Sequence, residues 1–222
     1  MQTMSKTHAS SMLASFATLK SLSDEKKYLS PYQILGEFIR YIVISNSLYS
    51  FSAIEMKNLL NEHFKFLIPE AVIKTSVKNM AGISLANGTY SVIMSQVGTD
   101  PLFEAKKKEA DEYSAGIIRL FSEYISNKTG NTTIAEDELT HELVTFLIKD
   151  QPTSSTKYTD LISEFILKNE SDQKLQQVLD RIREGSILYI GLSHNINETG
   201  SIRKPLTIYL GTEILFSLVG YN

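Results

Sequence analysis

The chain has 222 residues, enough for one large or two small domains with an ample core. Its formal charge of −3 argues against a generic polyanion binder, and the absence of cysteine excludes disulfides and thiolate chemistry. No run approaches the length of a membrane span, and the opening residues lack the cationic start, apolar core and cleavage site of a secretion signal. A cytoplasmic protein with no membrane partner is the expectation.

Residues 1–27 are rich in Ser, Thr and Lys and read as a flexible or docking N-terminal segment. Met12, Leu13, Phe16 and Leu19 recur at helical spacing, so a short docking helix is expected there, with the first ten residues loose. Pro31 opens a markedly apolar helix in which Ile34, Leu35, Phe38, Ile39, Ile42 and Val43 cover a wide face. Such a helix belongs at the centre of a core, with Glu37 and Arg40 toward its wet side.

From Ser52 to Met94 the pattern is helix, tight connection, second helix and two short strands. Ser52 and Glu55 form a capping box, and Met56, Leu59, Leu60 and Phe64 make one face apolar while Glu55, Asn58 and Glu62 face water. Pro69 suits the first turn of the next helix, because its missing N–H has no partner to lose there. Along that helix Ile73, Val77 and Met80 point inward, with Ala71 and Val72 at the flank. Glu70, Lys74, Thr75, Lys78 and Asn79 point outward, and Gly82 ends the helix. Asn87-Gly88 between Ile83–Leu85 and Thr89–Ile93 is a hairpin signal, with Asn87 at the tip.

With the preceding helix added, residues 30–95 resemble a winged helix-turn-helix. In that fold the second helix of the motif enters the major groove and the hairpin touches the backbone. The resemblance implies that Lys74, Thr75, Lys78 and Asn79 face nucleic acid and that Asn87 sits at the wing tip. Only two lysines stand on that face, beside Glu70, and the wing has neither Arg nor Lys. Affinity for a duplex follows phosphate neutralisation, so weak binding to DNA or RNA is expected. A winged helix used for protein packing is the competing reading.

Gly98-Thr99-Asp100-Pro101 reads as a domain boundary closing a unit at 28–97, with Asp100 as cap and Pro101 at the first helical position. The next helix should leave that unit as an exposed, charged rod and enter a second core near Tyr113. Lys106 to Lys108 has acidic neighbours on adjoining turns and reads as a solvated face rather than a nucleic-acid footprint. Asn127 to Asn131 reads as a turn. Helices then follow from near Thr133, from Tyr158 to Ile166 and from Leu175 to Gly185, so 101–185 reads as a helical domain without a fixed-period repeat. Residues 186–192 fit either a strand or a helix extension.

Segment 186–222 ends in Leu206–Leu210, a β-strand pattern, then the opening of a helix at Ile214. A lone strand needs neighbours for its backbone hydrogen bonds, so a truncated start of a further domain is expected. The stretch LTIYLGTEILFSL resembles the opening of a PIN-like nuclease domain, a family that cleaves RNA or DNA with metal held by clustered carboxylates. Gly211 stands where the metal-binding Asp would be expected, and glycine has no side-chain oxygen for Mg²⁺.

Glu138, His141 and Glu142 have a spacing that can hold a metal on one helix face. Carboxylate-bridged sites repeat the motif on a second helix, and no second Glu-x-x-His exists, so an ordinary solvated face is expected. His63 suits a helix C-terminus, and His194 lies beside Ser193 without a carboxylate to complete a triad. Neither Gly-x-Gly-x-x-Gly nor a Walker-type lysine motif occurs, so no cofactor and no metal are expected. No complete catalytic constellation is visible.

The fold class expected is mostly α (α+β): a winged helix with a small hairpin, a helical bundle, and a C-terminal strand and helix start. The function expected is a nucleic-acid-associated regulatory or adaptor region of a nuclease-linked protein, of the sort found in bacterial defence or toxin systems. The alternative is a non-catalytic scaffold for a protein partner or for homo-oligomerisation.

Overall fold

In the computed structural model, residues 11–98, 100–130, 135–148 and 158–193 are described. Among them lie eight α-helices: α1 (Met12–Glu25), α2 (Pro31–Ser45), α3 (Ala53–Phe64), α4 (Glu70–Val77), α5 (Pro101–Thr129), α6 (Glu136–Ile148), α7 (Thr159–Lys168) and α8 (Gln173–Ser193). The strands are β1 (Ser50–Phe51), β2 (Ile83–Ala86) and β3 (Thr89–Val92), in one antiparallel sheet of order β1-β3-β2. The fold is therefore mostly α, with a small sheet. No described helix is long and apolar enough to cross a membrane.

Helix α1 starts where Ser11 Oγ accepts the Ala14 N–H at 3.1 Å. It is buried on more faces than its apolar spacing suggests. Ser15 and Thr18 are almost fully enclosed because their hydroxyls donate to the carbonyls of Ser11 and Ala14 at 3.1 and 2.8 Å, leaving no donor unsatisfied. The helix lies along α8 and α5 and touches α2 and α6.

In α2 the capping box of Ser30 and Gln33 is complete, and the six apolar positions named from the sequence are all buried. Glu37 departs from expectation. It is only 8% exposed, and it stays charged company because Lys26 Nζ lies 3.3 Å and Arg40 Nη1 3.9 Å from its carboxylate. Burial of a carboxylate is tolerable only with such partners.

The capping box at Ser52 and Glu55 also forms, at 2.6 and 3.2 Å. Strand β1 is two residues long and pairs Phe51 with Tyr90, a register no sequence pattern announces. Helix α4 is shorter than expected: Pro69 is its N-cap rather than its first residue, and it ends at Val77 rather than at Gly82. Gly82 instead opens β2 with φ 77°, and a Cβ there would lie 2.8 Å from Val97 Cγ2, so both backbone angle and close approach require glycine. The hairpin turn places Asn87 and Gly88 at φ 52° and 80°, the pair of positive angles that a two-residue turn of matching twist needs.

Asp100 Oδ1 accepts the Leu102 N–H at 2.9 Å and Pro101 occupies the first turn of α5. The first turns of this helix are not an exposed rod. Phe103 is 1% exposed, with its ring 5.0 Å from Phe38 and 5.2 Å from Tyr41, so residues on both sides of the Gly98–Pro101 segment belong to one hydrophobic cluster. The helix also runs through Asn127 to Thr129, and only Gly130, at φ 69°, stops it. Leu139, Leu143, Val144 and Leu147 of α6 and Ile162 and Phe165 of α7 are buried as their spacing predicts, while Phe146 is half-buried.

For residues 186–192 the structure has the helix extension: α8 continues to Ser193. Gly185 and Ser186 allow this, because they bury a narrow side against α1. The first ten residues, Thr133, residues 149–157, His194 and the strand and helix start expected from Leu206 onward lie outside the described residues. The PIN-like resemblance and Gly211 lie there too.

Candidate nucleic-acid interface

The polar face of α4 is built by one local rule. Val72, Ile73 and Val77 are buried, on a helix that packs chiefly against α2 and α3. The residues between them, Lys74 and Thr75, then turn outward, and Lys78 and Asn79 follow in the turn after the helix. All four are exposed, and Asn87 is exposed at the hairpin tip, separated from the α4 turn by the length of β2. The five residues therefore divide into one cluster of four and one outlier.

Electrostatics on this face are modest. Lys74 Nζ lies 3.7 Å from Glu70 Oε2, both exposed, a pair worth little net energy but enough to offset one cation. Lys78 has no ion-pair partner among the described residues. Thr75 Oγ1 donates to the Ala71 carbonyl at 2.9 Å, which leaves its lone pairs outward as acceptors only.

Beside this face lies a cleft of about 350 Å³ between α2 and the end of α4, which sequence reasoning missed. Thr75, Lys78 and Asn79 form one wall; Tyr32, Gln33 and Arg40 are among the residues of the other. Arg40 was legible as a wet-side residue of α2, but only the α2–α4 packing brings it opposite Lys78. Glu37 also lines the cleft and carries an ion network behind it. Lys26 bonds Asp100 as well as Glu37, and that hydrogen bond holds the Asp100 carboxyl below its ordinary range.

Lys106 to Lys108 does not form a basic patch. Lys107 Nζ is 2.7 Å from Asp111 and lies over the Tyr41 ring, and Lys106 pairs with Glu25 at 3.4 Å and Glu109 at 3.6 Å. Only Lys108 is the solvated residue that the sequence suggested for all three; the other two lie largely inside the α5 contacts. His63 stands in the last turn of α3, as its place in the sequence suggests, but buried. It is 8% exposed, its Nε2 lies 3.1 Å from Asn46 Nδ2, and burial holds its pKa below the ordinary imidazole value.

Glu138 and His141 are exposed on α6 while Glu142 is half-buried, and among the described residues no three His, Asp or Glu side chains converge as metal ligands. No protein-family model, curated protein or solved structure matches the chain.

Proposed function

We propose that the chain contacts nucleic acid weakly through the polar face of α4, in a winged-helix arrangement, as the regulatory or adaptor part of a nuclease-linked protein. The observation that carries this reading is the division of α4 and the turn after it: Val72, Ile73 and Val77 are enclosed while Lys74, Thr75, Lys78 and Asn79 are open to solvent. The element order of α2, β1, α3, α4 and the β2–β3 hairpin, with strand order β1-β3-β2, supports the winged-helix part. The C-terminal stretch from Leu206 motivates the nuclease link.

Two cations limit the affinity. Each phosphate neutralised contributes a salt slope of about −0.9, so log K against log salt should fall with a slope of about −2. Fluorescence anisotropy with a labelled duplex and a labelled single strand at low salt tests this. Lys74→Glu with Lys78→Glu should abolish binding. Absence of any salt-sensitive binding to DNA or RNA in the parent chain ends the proposal.

The scaffold reading has its own support on the hairpin. Leu85 is 63% and Ile93 51% exposed, in a stretch, 83–93, with no Lys or Arg, a composition that suits protein contact better than phosphate contact. A concentration-dependent mass in light scattering, lost on Leu85→Asp, would favour it over nucleic-acid contact. A concentration-independent monomer that captures no partner counts against it.

A further inference from the structure

The cleft between α2 and the end of α4 is rich in unused donors. Arg40 is half-buried, yet its only partner among the described residues is Glu37 at 3.9 Å, so most of the guanidinium's N–H groups are free. Gln33 spends its Oε1 on the Ser30 N–H at 2.9 Å, which leaves its amide N–H groups over. Lys78 and Asn79 line the same space from the other wall, and neither side chain has a hydrogen-bond or ion-pair partner among the described residues. The carboxylate in the lining, Glu37, is already engaged by Lys26 at 3.3 Å, and Lys26 is shared with Asp100. Three cations thus stand against two carboxylates, with one positive charge left over beside the cleft.

We propose that this cleft binds a phosphate monoester on an aromatic body: a mononucleotide, or the 5′-phosphorylated end of a nucleic-acid strand. A phosphate monoester brings three terminal acceptor oxygens and more than one negative charge, which suits donors arriving from two sides better than the two oxygens of a carboxylate. Guanidinium and ammonium together are the groups that recognise phosphate by fork and by point charge. The volume of about 350 Å³ falls in the range of small-molecule sites, and Tyr32 on the α2 wall offers a ring against which a base can pack. The cleft shares Thr75, Lys78 and Asn79 with the proposed duplex contact, and Arg40 and Gln33 of α2 are the donors it adds.

Calorimetric titration of the full chain with adenosine monophosphate and with adenosine tests the free-nucleotide source. Titration with 5′-phosphorylated and 5′-hydroxyl single strands of one sequence tests the strand end. At least tenfold tighter binding of the phosphorylated member of either pair supports the site and identifies the source. Arg40→Gln and Lys78→Gln should each weaken that binding about tenfold or more. Lys78→Gln alters an exposed residue and keeps the test valid should Arg40→Gln unfold the chain. Arg40→Gln should leave the salt-dependent duplex binding of α4 in place, so failure of one proposal does not carry the other with it. No preference for the phosphate in either pair, or a preference unmoved by Lys78→Gln, overturns the inference.

Discussion

Gly185 of α8 lies directly against the backbone of α1. A Cβ added there would lie 2.0 Å from the Phe16 carbonyl oxygen and 2.6 Å from its carbonyl carbon, both backbone atoms of α1 that cannot rotate away. Gly185→Ala should therefore lower stability by about 1–3 kcal/mol, the usual cost of overpacking, read as a fall in urea midpoint. Gly191 sits in the same helix with nothing within 4 Å of its would-be Cβ. Gly191→Ala should raise the midpoint, since alanine is favoured in a helix interior by roughly 0.5–1 kcal/mol. Opposite signs six residues apart on one helix would separate packing from propensity. His63 supplies a second residue-scale prediction. Its folded pKa is depressed by burial, so below about pH 6.5 the unfolded chain binds the proton that the folded chain refuses. Stability from this residue is complete above that pH and declines as pH falls toward the lowered folded value. Denaturant midpoints measured between pH 7.5 and 5.5 should drop for the parent chain and drop less for His63→Gln.

At the scale of elements, Asp100 joins a helix start to an ion network. It caps α5 through the Leu102 N–H and receives the Lys26 ammonium, which also meets buried Glu37. Asp100→Ala removes cap and pair together and should cost about 1–2 kcal/mol. Asp100→Asn keeps a capping oxygen and should recover most of the helix contribution, which thermal melts of the two variants would resolve. Because the Asp100 carboxyl is held below its ordinary range, its contribution is present above that range and is lost as pH falls through the lowered value. Elements like α5's start, the Ser52–Glu55 capping box and the Asn87-Gly88 turn were legible because each rests on a local rule that spans about four residues. What was illegible rests on distant partners. Nothing near Phe103 in sequence says that Phe38 and Tyr41 will enclose it, so charged neighbours made its helix read as exposed. Ser15 and Thr18 look like a wet face until their hydroxyls turn back to carbonyls one turn earlier. Within the candidate site the exposed face of α4 followed from helical spacing, whereas the cleft did not, because Arg40 and Lys78 meet only through the packing of α2 on α4.

At the scale of the whole molecule, the first described helix ties the rest together. Phe16 of α1 stacks 6.2 Å from Phe66, in the α3–α4 connection, and 5.3 Å from Tyr189 near the end of α8. Tyr189 Oη in turn accepts the Leu67 N–H at 3.1 Å, and Lys20 bridges to Glu184 at 2.6 Å. Leu13, Phe16, Leu19 and Leu22 are at most 1% exposed. Burying each such side chain is worth about 1.5–3 kcal/mol, so the four together supply an amount comparable with the roughly 5–15 kcal/mol that separates a folded domain from its unfolded chain. Removing residues 1–27 should thus abolish the cooperative transition instead of trimming an accessory tail. Circular dichroism through a urea titration would show a broad, shallow slope in place of a sigmoid, and dye binding would report exposed apolar surface. A truncated chain that kept a sharp transition with the parent's m-value would mean that α2 to α8 close their own core, and that α1 is a helix laid on a structure already complete.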